Sequence, residues 1–308
     1  MSSTLVDTPA PPTVRRRRGR VERLVPYAYM APVLLLMVVL MLLPIVMVVW
    51  YSVQSNVIST PKSTFVGFDN YVEILGDRTF RKALVNTTIF TVASVVAHLV
   101  LGLAFAMMLN TELLGNVTKA IFRTIFVLPW LLTVAIIAIM WRLLLNPNGI
   151  INYLAVSAGI IHDPIAWLSD LQLALPAVTF INIWAGYPFF MVSLLAGLQG
   201  ISRDMYEAAL VDGANWFQRF AHVTIPQLRP IIISMALLDV IWTSQQFPLI
   251  WMTTGGGPLD KTEVLSTFTY KLAFSRYQFS MASASAVVIL LISMALAYLY
   301  VRNQTARD

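Results

Sequence analysis

Cysteine is absent from all 308 residues, which excludes a disulfide framework, a thiolate metal site and a thiol nucleophile. Charge is scarce as well. Asp, Glu, Lys and Arg make up 12% of the chain, where about a quarter is usual for a soluble domain. The three histidines, His98, His162 and His222, lie far apart without H-E-x-x-H spacing, and neither G-x-S-x-G nor a phosphate-cradling G-x-x-x-x-G-K-[ST] run is present. Hydrolytic chemistry and ATP binding by this chain are therefore not expected. No internal repeat is evident, which argues against secondary carriers assembled from two repeated halves. The formal charge of +6 sits in short loops beside apolar runs and forms no interleaved basic and aromatic surface, so nucleic acid is not an expected partner.

What the chain does have is apolar length. It is 58% hydrophobic with a mean hydropathy of +0.73, and several runs of about 20 apolar residues match the hydrocarbon thickness of a bilayer. Residues 1–26 are rich in Pro, Thr and Ser and carry Arg15, Arg16, Arg17, Arg18, Arg20 and Arg23; a disordered basic tail is expected there. The first run, about 27–51, is too long for a signal-peptide core and lacks a small-residue cleavage site after it. Further runs fall at about 84–109, 121–145, 173–195, 230–251 and 284–301. The expected fold class is all-α, a polytopic membrane protein with six transmembrane helices over residues 27–308. Pro44, Pro129, Pro176, Pro188 and Pro248 fall inside or at the ends of these spans and predict kinks, not breaks. The arginine cluster before the first span, set against Ser52, Gln54, Ser55 and Asn56 after it, places both termini in the cytoplasm.

The cytoplasmic loop at about 200–229 contains Glu207-Ala208-Ala209-Leu210-Val211-Asp212-Gly213, a short helix by composition with Gly213 placed to end it. Met205, Ala208, Ala209 and Asp212 fall on related faces. Such a segment outside lipid suits a groove on a cytoplasmic partner, or else lies on the headgroups as an interfacial helix. Glu207-Ala208-Ala209, Gly213 and then Val223-Thr224-Ile225-Pro226 resemble the coupling loop of ATP-binding cassette importer permeases, E-A-A-x3-G-x9-I-x-L-P, with Val223 and Ile225 as conservative departures. That resemblance implies that Glu207, Ala208, Ala209, Asp212 and Gly213 seat a helix in a cleft of a separate ATPase subunit. With no phosphate loop of its own, the chain would need no cofactor, and ATP and Mg would be bound by two partner ATPase subunits.

Thr253-Thr254-Gly255-Gly256-Gly257-Pro258, with Thr262 and Tyr270-Lys271-Leu272-Ala273-Phe274, and the earlier Phe65-Val66-Gly67-Phe68-Asp69-Asn70-Tyr71, resemble maltose-type sugar permeases. The likeness covers nearly the whole chain. It implies a second permease subunit, an extracytoplasmic solute-binding protein and a carbohydrate substrate. On their own the glycines and proline imply only a turn.

Asp239 is the one formal charge well inside a span, a position that is costly unless it faces a cavity or a partner. Trp242, Thr243 and Gln246 follow at three, four and seven residues, a spacing that predicts one helical stripe. Hydroxyls of a sugar need the donors and acceptors of Asp239, Thr243 and Gln246, and a pyranose face can rest on Trp242; the same residues also suit helix-to-helix hydrogen bonding. The family resemblance implies that all four face the sugar, with Asp239 departing from the usual asparagine or serine. The preceding span carries Asn182, Trp184, Gly186, Tyr187 and Phe189. There the resemblance puts Ala185, Gly186 and Phe189 near the sugar, while Trp184 and Phe189 suit packing equally well. A channel or a proton-coupled carrier titrating Asp239 is the alternative function.

Overall fold

The computed structural model describes residues 20–305, apart from 56, 59–62 and 112. Most of the expected basic tail, and Arg307, lie outside the described residues. Up to Val48 the chain is a unit of its own, formed by α1 (Arg20–Met37), a wider π turn (Val38–Leu42) and the start of α2 (Leu43–Ser52). Pro44 follows that turn, where a local widening accommodates the missing N–H. The same device recurs at Phe220–Thr224, just ahead of Pro226.

The second unit takes in the end of α2 from Val49, followed by a two-residue ribbon that pairs Gln54 with Phe65. It continues through α3 (Asp69–Gly76), α4 (Arg78–Asn110), α5 (Asn116–Leu131), α6 (Val134–Leu144), α7 (Ile150–Ser157) and α8 (Ala174–Gln199). It closes with α9 (Arg203–Val211), α10 (Trp216–Arg219), α11 (Ile225–Ser244), α12 (Pro248–Thr253), α13 (Leu265–Tyr270) and α14 (Phe279–Thr305). Among the described residues five helices are long and apolar enough to cross a membrane, or six if the bent pair α5 and α6 is one span.

Two proline sites correct the expectation of kinks. The third span turns by 98° between α5 and α6. Pro129 removes a backbone donor in the last turn of α5, Leu132 and Thr133 are extended, and the Thr133 side chain caps a new helix start. The fifth span does not run to Trp251. Helix α11 ends at Ser244, and Pro248 opens α12 at a first-turn position where its missing N–H costs nothing.

Helix α4 shows which solvent the bundle faces. Val85, Ile89, Val92, Val96 and Val100 are exposed, while Asn86, Thr87, Thr91, Ser94 and His98 are buried. Apolar side chains outward and polar ones inward is the arrangement for a helix in lipid, where polar groups must find partners inside the protein. Helix α8 sits at the centre, with more than half of its apolar window buried. It packs through Phe190, Met191, Leu194 and Leu198 against Ala106 of α4 and Leu228 of α11. A second cluster joins α3, α4, α13 and α14, and a third joins α6, α8 and α12.

Candidate functional site

Helices α4, α8 and α11 converge on one polar network. His98 of α4 is 2% exposed; its Nδ1 lies 2.8 Å from Asp239 Oδ2 on α11 and its Nε2 lies 3.1 Å from the backbone carbonyl of Asn182 on α8. The carbonyl only accepts, so Nε2 carries a proton and donates it. A further proton must lie between Nδ1 and Oδ2, because two lone pairs at 2.8 Å would repel. Whichever atom holds that proton, the pair as a whole is neutral, which removes most of the penalty for a carboxylate in this setting. Thr243 donates to Asp239 Oδ1 at 3.0 Å, so both carboxyl oxygens are engaged. Gly186 makes room for the ring: a Cβ there would lie 2.5 Å from His98 Cε1.

The four residues expected on one stripe separate. Asp239 and Thr243, four apart, share the buried face, whereas Trp242 is 58% exposed. Gln246 lies beyond the end of α11 because the chain breaks ahead of Pro248. It returns to the site by another route, its Nε2 donating to Asn182 Oδ1 at 3.4 Å. Asn182 Nδ2 is buried without a partner. On the exposed side Trp242 meets Phe189 at 5.6 Å between ring centroids, and Phe189 meets Trp130 of α5 at 6.1 Å, so three helices build a ledge of three aromatic rings. Trp184 turns elsewhere and meets Trp141 edge-on at 5.4 Å in the α6, α8 and α12 cluster. Tyr187 donates to the Phe126 carbonyl at 3.1 Å and ties α8 to α5.

His98 and Trp130 are the residues the sequence reading did not select. A signal for His98 was available, since Thr87, Thr91, Ser94 and His98 repeat at spacings of four, three and four and mark a polar stripe in an apolar span. Trp130 carries no such mark. Its place on the ledge follows from the packing of α5 against α8, which periodicity within α5 does not reveal.

Helix α9 has no buried residue. Ser202 caps it by accepting from Asp204 N, and Gly213 ends it with φ +77° while Ala214 N donates back to the Ala209 carbonyl at 2.9 Å. That left-handed position is why glycine stands there. Glu207, Ala208, Asp212 and Gly213 are exposed and Ala209 is half-buried, so the element is a helix presented outward, apart from the polar network.

The glycine-rich segment between α12 and α13 is a packed structure. Gly255 and Gly256 have positive φ, and a Cβ at Gly256 would lie 2.8 Å from Glu263 Cδ and from Lys271 Nζ. Glu263 is fully buried and paired with Lys271. Burial pushes its carboxyl above the ordinary range, and Lys271 opposes that shift. Asn86 of α4 donates to the carbonyls of Asp260 and Glu263, which anchors the segment to the bundle.

A bundle of apolar spans with a neutralised polar interior, an aromatic ledge and an outward-facing loop helix is the framework of a membrane permease. The chain belongs to the binding-protein-dependent transport system inner membrane components, whose family model matches residues 98–306. It is 34% identical to the trehalose/maltose transport system permease protein MalF of Thermococcus litoralis, over 90% of this chain and 92% of that one. It is also 34% identical to the lactose transport system permease protein LacF of Rhizobium radiobacter, over 92% and 94%. Among solved structures, a bacterial ABC transporter that imports the acidic polysaccharide alginate contains a chain matching with a TM-score of 0.77 at 23% identity, covering 92% of this chain and 97% of that one; at that identity the likeness speaks for the fold. The chain is thus a multi-pass inner-membrane permease subunit of an ABC importer, in which ATP hydrolysis falls to separate subunits. Family membership selects this function over the channel or proton-coupled carrier.

Proposed function

We propose that the solute is a sugar or sugar derivative, and that it passes along the ledge of Trp130, Phe189 and Trp242 beside the amides of Asn182 and Gln246. The observation that carries this reading is the ledge itself: three aromatic rings, of which Trp130 and Trp242 are more than half exposed, with Phe189 on the same helix as the buried Asn182 Nδ2 that lacks an acceptor. Pyranose faces stack on aromatic rings and sugar hydroxyls accept from amides. In this reading Asp239 and Thr243 belong to the substrate site as its rear layer, with His98 and Gly186 fixing their position, and Trp184 holds α8 against α6. Glu207, Ala208, Ala209, Asp212 and Gly213 dock on ATPase subunits that bind ATP and Mg. A second permease subunit supplies the other half of the path, an extracytoplasmic binding protein delivers the solute, and both termini lie in the cytoplasm. The named solutes of the relatives, trehalose, maltose and lactose, support the sugar class, as does the solved importer's pairing with a periplasmic protein holding an alginate pentasaccharide.

The test is uptake of trehalose, maltose and lactose by the reconstituted importer with its binding protein and ATP. Trp242→Ala is expected to lower uptake of the accepted sugar about tenfold, equivalent to about 1.4 kcal/mol, while ATP hydrolysis still responds to the loaded binding protein. Unchanged uptake in that variant, or uptake that collapses with a protonophore while ATP is held constant, overturns the reading.

A further inference from the structure

A cavity of about 420 Å³ opens where three spans end together. Helix α4 finishes at Asn110, α8 finishes at Gln199, and the fifth span begins at Trp216. Its walls are mixed in a particular way. Met107, Met108, Trp216 and Phe220 supply apolar surface, Tyr206 of α9 closes one side, and Arg219 enters as the one charged residue of the lining. Trp216 and Phe220 stack with rings nearly parallel, 5.7 Å between centroids. Arg219 Nε is buried and has no hydrogen-bond partner, and among the described residues no carboxylate pairs with this guanidinium. A buried guanidinium donor without an acceptor is a costly feature.

We propose that this cavity binds the headgroup of an anionic phospholipid, with the phosphate on the Arg219 guanidinium and the glycerol and upper acyl chains along Met107, Met108, Trp216 and Phe220. The planar guanidinium offers two parallel donors to a phosphate. A site where spans terminate is at headgroup depth, and the exposure of Trp216 and Phe217, 62% and 69%, fits the aromatic belt at that depth. Free inorganic phosphate would use the cation but leave the apolar walls unfilled, and this favours the lipid as the source. Since Tyr206 belongs to α9 and bonds Thr224 at 3.0 Å, the bound lipid braces the outward-facing helix from beneath.

The assembled importer, stripped of lipid in detergent, tests this by native mass spectrometry with added phosphatidylglycerol. The wild type is expected to hold phosphatidylglycerol in preference to zwitterionic phosphatidylcholine, and Arg219→Gln to weaken that binding about tenfold or more. Arg219→Lys keeps the charge but loses the paired donors, so a smaller, roughly threefold loss is expected. Equal lipid binding in the wild type and Arg219→Gln overturns the proposal. So does displacement of the lipid by millimolar inorganic phosphate, which would mark a free-anion site, or lipid binding that appears only when the ATPase subunits are removed, which would mark a partner interface. If the Arg219→Gln complex fails to assemble, the Arg219→Lys complex decides, and undiminished binding there overturns the proposal equally.

Discussion

Replacing Asp239 by asparagine, and separately His98 by alanine, gives opposite expectations for two changes to one contact. In Asp239→Asn the amide oxygen still accepts from Thr243, and the new NH2 faces His98 Nδ1 at the distance where the carboxylate stood, 2.8 Å. A neutral imidazole protonated on Nε2 keeps its bond to the Asn182 carbonyl and accepts from that amide on Nδ1. Every buried group retains a partner, so the loss is confined to the charge-assisted part of one bond, about 1 kcal/mol. His98→Ala has no such rearrangement. It leaves a carboxylate that is 7% exposed with only the Thr243 hydroxyl, and removing one partner of a buried pair costs about 3–5 kcal/mol. Replacing both residues by leucine removes the stranded charge and is expected to be milder than His98→Ala alone. Thermal unfolding of the purified importer, followed by tryptophan fluorescence, should rank the wild type and Asp239→Asn together, the double variant lower and His98→Ala lowest. Asp239→Asn should also keep ATP-driven uptake. An Asp239→Asn importer as unstable as His98→Ala, or a His98→Ala importer as stable as the wild type, would refute the account of a neutral, mutually satisfied pair.

Gly186→Ala places a methyl group against the His98 ring, so uptake should fall at least tenfold while ATPase subunits still assemble; normal uptake means the ring moves freely. Gly256→Ala combines a φ of +87° with a clash against Glu263 and Lys271, and should lower the unfolding temperature more than Gly213→Ala, whose Cβ meets nothing and costs only about 1–2 kcal/mol for the left-handed backbone. Glu207→Arg changes an exposed charge on α9 and should abolish binding-protein-stimulated ATP hydrolysis without changing the unfolding temperature; intact stimulation removes the docking role. Because the chain has no cysteine, Leu113→Cys and Leu259→Cys, at positions 93% and 76% exposed, report orientation cleanly: an impermeant thiol reagent should reach the first only from the cytoplasmic side and the second only from outside, and the reverse labelling inverts the topology.

The spans were legible because length and apolarity decide them one helix at a time. The helix over Glu207–Val211 and its end at Gly213 were legible for the same reason, since a left-handed cap is a local requirement. The breaks were not. A proline inside an apolar run says that one backbone donor is missing, but whether the chain kinks or starts again depends on what neighbours receive the freed carbonyls. At Pro188 the helix continues, at Pro129 a threonine four residues on caps a new start, and at Pro248 the chain has already left the helix at Ser244.

That difference explains why the site was half visible. Asp239 stood out because a charge in an apolar run is conspicuous, yet its partner lies 141 residues earlier on another helix, and periodicity within α11 carries no information about α4. The expected spacing of Asp239, Trp242, Thr243 and Gln246 assumed an unbroken helix. The break moves Gln246 across to Asn182, and the inward turn of Asp239 leaves Trp242 facing out beside Phe189 and Trp130. The two layers then have separate jobs. The neutral His98–Asp239 pair links α4, α8 and α11 and is nearly closed to solvent, whereas the exposed rings of Trp130 and Trp242 can meet a solute. Changes to the buried layer should therefore appear first as loss of stability, and changes to the ledge first as altered solute preference. An importer in which Trp242→Ala destabilises without changing preference would contradict that division.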